Sequence, residues 1–223
     1  MKVLLASASI EEIRWARANG LADGVVTSPA LLAHERPEDD EQEVLLEICR
    51  AAGTTVVASV RSVHARDIYR DGRELAKLSD QIVVQVPLVE DAIVALRRLA
   101  AAGVRVNTAL VFSAAQALLA AKAGAAYVTA GVDRLDAIGQ DALGALREMR
   151  AVFDADDTQC ELLAAHPATA ARFAECAIAR ADAAVVSPEA LRAMLLHPLT
   201  DRGIDQFLLD VSDRTYRRPR VET

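Results

Sequence analysis

Short apolar runs alternate along the chain with longer stretches in which apolar residues recur every three or four positions. The short runs are 2–6, 24–26, 54–60, 81–86, 104–108, 126–129, 161–165 and 183–186. Each is nearly continuously apolar, the pattern of a strand covered on both faces in a parallel sheet. The longer stretches predict amphipathic helices. Residues 88–102 set Val89, Ile93, Leu96 and Ala100 at helical spacing with Arg97 and Arg98 outside, and Gly103 closes them. Ser113 followed by Gln116 has the form of a capping box. Ser28-Pro29 and Ser187-Pro188-Glu189 place an N-cap serine before a proline at the first helical position. Two of the apolar runs therefore feed directly into helices.

Eight strand–helix units over this length allow about 28 residues each, enough for a βαβ repeat. The repeat predicts a closed (β/α)8 TIM barrel, a single domain over residues 1–223, with an additional C-terminal helix at about 199–213. That last helix carries Ile204, Phe207, Leu208 and Val211 at helical spacing. An open doubly wound sheet is the competing arrangement. Neither a G-x-G-x-x-G nor a P-loop motif follows any run, which argues against a nucleotide site. The acidic run Glu38-Asp39-Asp40-Glu41 suits a solvated helix start. The basic segment 214–220 reads as a solvated terminus.

Composition narrows the function. Of the 223 residues 52% are hydrophobic and 26% charged, which excludes a disordered chain. Only 4% are aromatic, so the core is aliphatic and a base-stacking platform is disfavoured. A net charge of −7 gives no overall attraction to nucleic acid or to anionic lipid, so neither is expected as a partner. Cys49, Cys160 and Cys176 form no C-x-x-C pair, and no two histidines have metal-ligand spacing; neither metal nor cofactor is expected. The apolar run 3–6 is too short for a signal peptide and nothing reaches the length of a membrane span, which predicts a cytoplasmic protein.

On such a barrel the working end lies at the C-terminal ends of the strands. The polar residues there include Ser28, Ser59, Gln85, Asn107, Thr129, Asp133, Arg134 and His166. Gln85 interrupts the run 82–87; it is either satisfied inside the barrel or functional, because an unpaired buried amide costs about 1–3 kcal/mol. His166 stands where a strand ends and Pro167 is expected to begin a helix. It is a candidate general acid or base, or else a cap for that helix. Arg134 suits a phosphate or carboxylate, or else a local pair with Asp133 or Asp136. Ser28, Asn107, Ser59, Asp133 and Arg134 are taken as substrate-binding candidates, and His166 and Gln85 as catalytic ones.

Four segments carry a resemblance to a known family: Ser79–Pro87 (SDQIVVQVP), Thr108–Gly124 (TALVFSAAQALLAAKAG), Val132–Asp136 (VDRLD) and His197–Gly203 (HPLTDRG). With them the chain resembles, nearly end to end, the small transaldolases of the fructose-6-phosphate aldolase-like subfamily. The resemblance implies a TIM barrel. It also implies a homo-oligomer, pentamer rings pairing into decamers, with a helix near 200–212 reaching onto a neighbour. The chemistry it implies is class I aldol chemistry through a Schiff-base lysine at the end of the fourth strand, and at that position this chain has Gln85. Further departures from the family pattern fall at Ala6, Ser28, Ser59, Ala109, Gly131 and the segment Ala164–Ala168, which contains His166; Arg134 is kept. Only three lysines exist, Lys2, Lys77 and Lys122, at the opposite barrel end and on outer helices.

An amide nitrogen is not nucleophilic, so a Schiff-base route is closed to Gln85. Two readings follow. In one, the barrel performs non-covalent acid–base chemistry on a small carbonyl or polar metabolite. In the other, it is a non-catalytic relative that binds a metabolite or protein partner. Ala6, Ala109 and Gly131 predict a larger and less polar pocket than the family pattern.

Overall fold

The computed structural model describes residues 1–216; residues 217–223, and with them most of the basic segment 214–220, lie outside the described residues. Its elements run β1 (Lys2–Ala6), α1 (Ile10–Ala18), β2 (Gly24–Thr27), α2 (Pro29–Glu35), α3 (Glu41–Ala52), β3 (Thr55–Ser59) and α4 (Ala65–Leu78). Then come β4 (Ile82–Pro87), α5 (Glu90–Ala101), β5 (Val106–Val111), α6 (Ala114–Lys122), β6 (Tyr127–Ala130), α7 (Val132–Ala137) and α8 (Ala142–Ala155). The chain continues with β7 (Glu161–Ala165), α9 (Ala170–Ile178), β8 (Ala183–Val186), α10 (Pro188–Met194) and α11 (Pro198–Tyr216). The strands close in sequence order into a parallel barrel, β8 pairing with β1.

Alternation along each strand explains why the runs are apolar throughout. Leu5, Val25, Val56, Val84, Val106, Val128, Leu162 and Ala184 face outward and join one core with the helices. Leu4, Ala6, Leu163, Ala183 and Val185 face inward and form a second cluster with Val26 and Tyr127. Both faces are covered, so neither admits the polar alternation of a half-exposed sheet. The outer layer is held by Ile13, Ile48, Ile68, Leu96, Leu146 and Phe153, each fully buried and each contributing about 1.5–3 kcal/mol. Small residues such as Ala92, Ala95, Ala117 and Ala120 let the helices lie close to the barrel.

Three serines cap helices as their sequence pattern predicts. The hydroxyl oxygen of Ser28 accepts from the Leu31 amide at 3.3 Å, that of Ser113 from the Gln116 amide at 3.3 Å, and that of Ser187 from the Ala190 amide at 3.1 Å. Asp40 caps α3 by accepting from the amides of Gln42 and Glu43, which accounts for the acidic run before it. In α5 the buried stripe is Ala92, Ala95, Leu96 and Leu99, rotated from the expected one, because Val89 is the N-cap and stands half-exposed.

Two local expectations are corrected. The helix after β7 begins at Ala170, with Thr169 as its cap, and not at Pro167. His166 has φ +49°, a left-handed turn that ends the strand and cannot start a right-handed helix. The fifth strand also runs past Thr108 to Val111 through a β-bulge, with Leu110 at φ +62°. At the C-terminus the additional helix is present and longer than expected, and Leu199, Ile204, Phe207, Leu208, Leu209 and Val211 stand exposed. Among the described residues no helix is long and apolar enough to cross a membrane.

Candidate functional site

At the C-terminal ends of the strands the barrel opens into a cavity of about 350 Å³. Of the residues singled out in the sequence, Ser28, Gln85, Thr129, Asp133, Arg134 and His166 line it together. Ser59 and Asn107 do not line it, and Asn107 is fully buried. Both instead grip Gln85. The Asn107 side-chain amide donates to Gln85 Oε1 at 2.7 Å, and Gln85 Nε2 donates to Ser59 Oγ at 2.8 Å. Thr129 Oγ1 in turn donates to Asn107 Oδ1 at 3.0 Å. One directed chain, Thr129 to Asn107 to Gln85 to Ser59, thus crosses four adjacent strands. Strand register builds it: Ser59 pairs with Gln85 and Gln85 with Asn107, so their side chains share the inner face. Thr129 stands two residues beyond Tyr127, the partner of Asn107, within diagonal reach. The chain holds the Gln85 amide in one orientation and leaves its second N–H for whatever fills the cavity.

The remaining strands end differently. Ala6, Val26, Ala165 and Val185 line the same cavity from β1, β2, β7 and β8. Leu31, Leu110 and Phe112 add to its apolar wall. These three were not legible as site residues. Phe112 had a signal, though, in the glycine at 131: a Cβ there would come within 2.5 Å of the Phe112 ring. Phe112 fills the room that a side chain at 131 would take. The expected enlargement at Gly131 is therefore corrected, since the space is taken from the neighbouring strand. The wall on this side is apolar, and Phe112 occupies the room beside position 131.

The charged rim is simple. Arg134 is exposed and makes no ion pair with any described residue. The local pairing considered for it is absent, because Asp136 is engaged by Arg172, with two nitrogen–oxygen distances of 3.0 Å. Asp133 lies in the first turn of α7, where the helix N-terminus suits a carboxylate. Ser28 keeps its hydroxyl hydrogen, its oxygen being used to cap α2. His166 is exposed, does not cap α9, and is anchored through its backbone amide to the Val185 carbonyl at 2.9 Å. Its left-handed backbone costs about 1–3 kcal/mol, a kind of strain that collects at functional sites.

No lysine lines the cavity among the described residues. Lys2 sits at the other barrel end with its ammonium 2.9 Å from Glu161, a hydrogen bond that holds its pKa above the usual lysine value. Lys77 pairs with Glu74 and Lys122 with Asp156 on the outer helices. Burial pushes the Cys160 thiol up to about 12 and the Cys176 thiol to about 11, which suppresses their thiolates. Among the described residues no cluster of three or more His, Cys, Asp or Glu could hold a metal ion. A wider groove of about 820 Å³ lies among α1, α2 and α3, but its Arg36 is engaged by Asp39 and Glu47 and no strand end reaches it.

Residues 3–217 match the family model described as transaldolase/fructose-6-phosphate aldolase. A probable transaldolase of Phenylobacterium zucineum is 39% identical over 210 residues, covering 94% of this chain and 96% of that protein. One from Herpetosiphon aurantiacus is 40% identical over 210 residues, covering 94% of each chain. Among solved structures, a thiamine phosphate pyrophosphorylase from Pyrococcus furiosus superposes with a TM-score of 0.59 at 18% identity, over 86% of this chain and 93% of that one. That last likeness is one of fold.

Proposed function

The chain belongs to the transaldolase/fructose-6-phosphate aldolase family, and from this premise we propose that its barrel works without a Schiff base. In this reading Gln85 stands where the family carries its lysine, and the cavity serves non-covalent acid–base chemistry on a small carbonyl compound. The observation that carries it is the floor of the cavity: an amide tied at both ends by Asn107 and Ser59, with all three lysines elsewhere in ion pairs. Gln85 offers its free N–H to a substrate carbonyl or to the oxyanion that develops from it. His166, on the rim of the same cavity, gives or takes the proton. Asn107, Ser59 and Thr129 act as positioning residues through Gln85. Ser28, Asp133 and Arg134 hold the substrate's polar groups.

An open mouth lined by His166, in place of one plugged by side chains, favours this reading over a purely binding relative. Borohydride treatment in the presence of dihydroxyacetone or fructose 6-phosphate is expected to trap no adduct. A mass increase mapped to any lysine overturns the proposal. The role of His166 is tested by His166→Asn, since asparagine tolerates the left-handed backbone. Turnover of a carbonyl substrate falls about 10²–10⁴-fold while the melting temperature holds, the range for loss of a general acid–base group. A stable variant with unchanged turnover removes His166 from the mechanism.

The same family reading extends to assembly as a pentamer or decamer. The exposed apolar residues of α11 support it, because a helix with such a stripe buries it against a neighbour. Truncation after Leu199 is expected to shrink the oligomer in light scattering; an intact chain that is monomeric contradicts it.

A further inference from the structure

The geometry points to a substrate class: a small oxo acid with a branched or aromatic body, and not a polyhydroxylated sugar phosphate. This rests on the reading of the cavity as a site for non-covalent carbonyl chemistry and goes one step beyond it.

Three features of the cavity carry the inference. In its wall on the β1, β2, β7 and β8 side the inward-facing strand residues are Ala6, Val26, Ala165 and Val185, which offer no hydrogen-bonding side chain, with Thr27, Ser28 and His166 at the strand ends. After β5, on the other side of the cavity, Phe112 adds an apolar ring packed over Gly131. A sugar phosphate carries a hydroxyl on nearly every carbon, and each hydroxyl turned to this wall gives up water with no partner in return. A branched or aromatic body meets the same wall with a gain from apolar burial.

The polar side, in contrast, has little left to give. Thr129, Asn107, Gln85 and Ser59 spend their groups on one another. What remains on the barrel floor is one amide hydrogen of Gln85, enough for a single carbonyl oxygen, while the Ser28 hydroxyl hydrogen, the unpartnered Thr27 hydroxyl and the His166 ring stand at the margin of the cavity. At the rim stands Arg134, a cation without an ion-pair partner among the described residues, beside Asp133 in the first turn of α7. One carbonyl acceptor, one anion and an apolar remainder describe an oxo acid. A volume of about 350 Å³ lies at the small end of the ligand-pocket range and suits such a molecule.

The test uses the intact protein and isothermal titration with three probes: 4-methyl-2-oxopentanoate, phenylpyruvate and fructose 6-phosphate. We expect both oxo acids to bind more tightly than fructose 6-phosphate by about tenfold or more. Arg134→Gln, an exposed substitution that leaves the core untouched, is expected to weaken the oxo acids by about tenfold. Val26→Asn, which puts an amide into the apolar wall, is expected to narrow the preference. Fructose 6-phosphate binding as tightly as the oxo acids, with the same dependence on Arg134, overturns the substrate class while leaving the non-covalent reading standing. Oxo acids that bind equally well to Arg134→Gln, or that do not bind at all, also overturn it. The borohydride experiment decides the non-covalent reading separately.

Discussion

Four consecutive strands, β3 to β6, present Ser59, Gln85, Asn107 and Thr129 to the barrel interior; the other four, β7, β8, β1 and β2, present Ala165, Val185, Ala6 and Val26. Both arcs belong to one closed sheet and border one cavity. They differ in how freely they can change. In the polar arc every member depends on its neighbour, and removing one orphans the groups on either side, each at a cost of about 1–3 kcal/mol. In the apolar arc each side chain contributes by volume alone, and neighbours adjust independently. The first arc therefore behaves as a fixed platform that orients Gln85. The second is where the shape of the cavity can be altered with little penalty to the fold.

The sharpest way to break this comparison is at the centre of the polar arc. Asn107→Leu leaves Gln85 Oε1 and the Thr129 hydroxyl without partners in a buried site. Urea unfolding should show a loss of about 3 kcal/mol, and a loss no larger than that of an ordinary surface substitution would mean that the chain is not coupled. Gly131→Ala comes next. The added methyl would meet the Phe112 ring at 2.5 Å, and overpacking of this kind costs about 2 kcal/mol. Adding Phe112→Leu should recover part of that cost, and a double-mutant cycle reports the coupling.

In the apolar arc, Val185→Thr adds a hydroxyl of similar shape to a residue that is 3% exposed. The expected cost is about 1 kcal/mol, at the low end for an unpaired hydroxyl because the cavity is close by. If thermal unfolding gave Val185→Thr a larger effect than Asn107→Leu, the contrast between the arcs would be reversed. The smallest effect lies in the shell outside both. Cys160 and Cys176 titrate at about 12 and about 11 in the folded chain against 9.0 when free. A raised thiol pKa gives stability that is complete below pH 9 and is lost as pH rises through 9 toward 11–12, because the unfolded thiols ionise first. By pH 9.5 the loss is about 0.8 kcal/mol per thiol, and Cys176→Ala should flatten the pH dependence of the urea midpoint by that share.

Much of the barrel was legible from local pattern. Lys2–Ala6, Glu161–Ala165 and Ala183–Val186 were bounded correctly because an apolar run flanked by polar turns needs no long-range information. Ser28, Ser113 and Ser187 announced their helices because a cap bonds only to residues two or three positions on. Gln85, Ser28, Arg134, Asp133 and His166 could be brought to one cavity because strand ends converge on a barrel. The start of α9 was misplaced because Pro167 imitates a first helical position, while the left-handed turn at His166 leaves no mark in residue type.

By itself the sequence determined the number and order of the strands, the burial of both strand faces, and the absence of a lysine at the working end, but not the paired helices α2–α3 and α7–α8; each of the first three follows from residues close together in the chain. Tertiary structure alone decided which polar ends touch. Closure of the sheet set the stagger that joins Asn107 to Gln85 and lets Thr129 reach diagonally to Asn107. It also brought the Phe112 ring over Gly131, nineteen positions away in sequence. A periodic pattern encodes which face of a strand is covered, but the side chain that covers it is chosen by packing between strands, where density near that of a crystal leaves room for one arrangement.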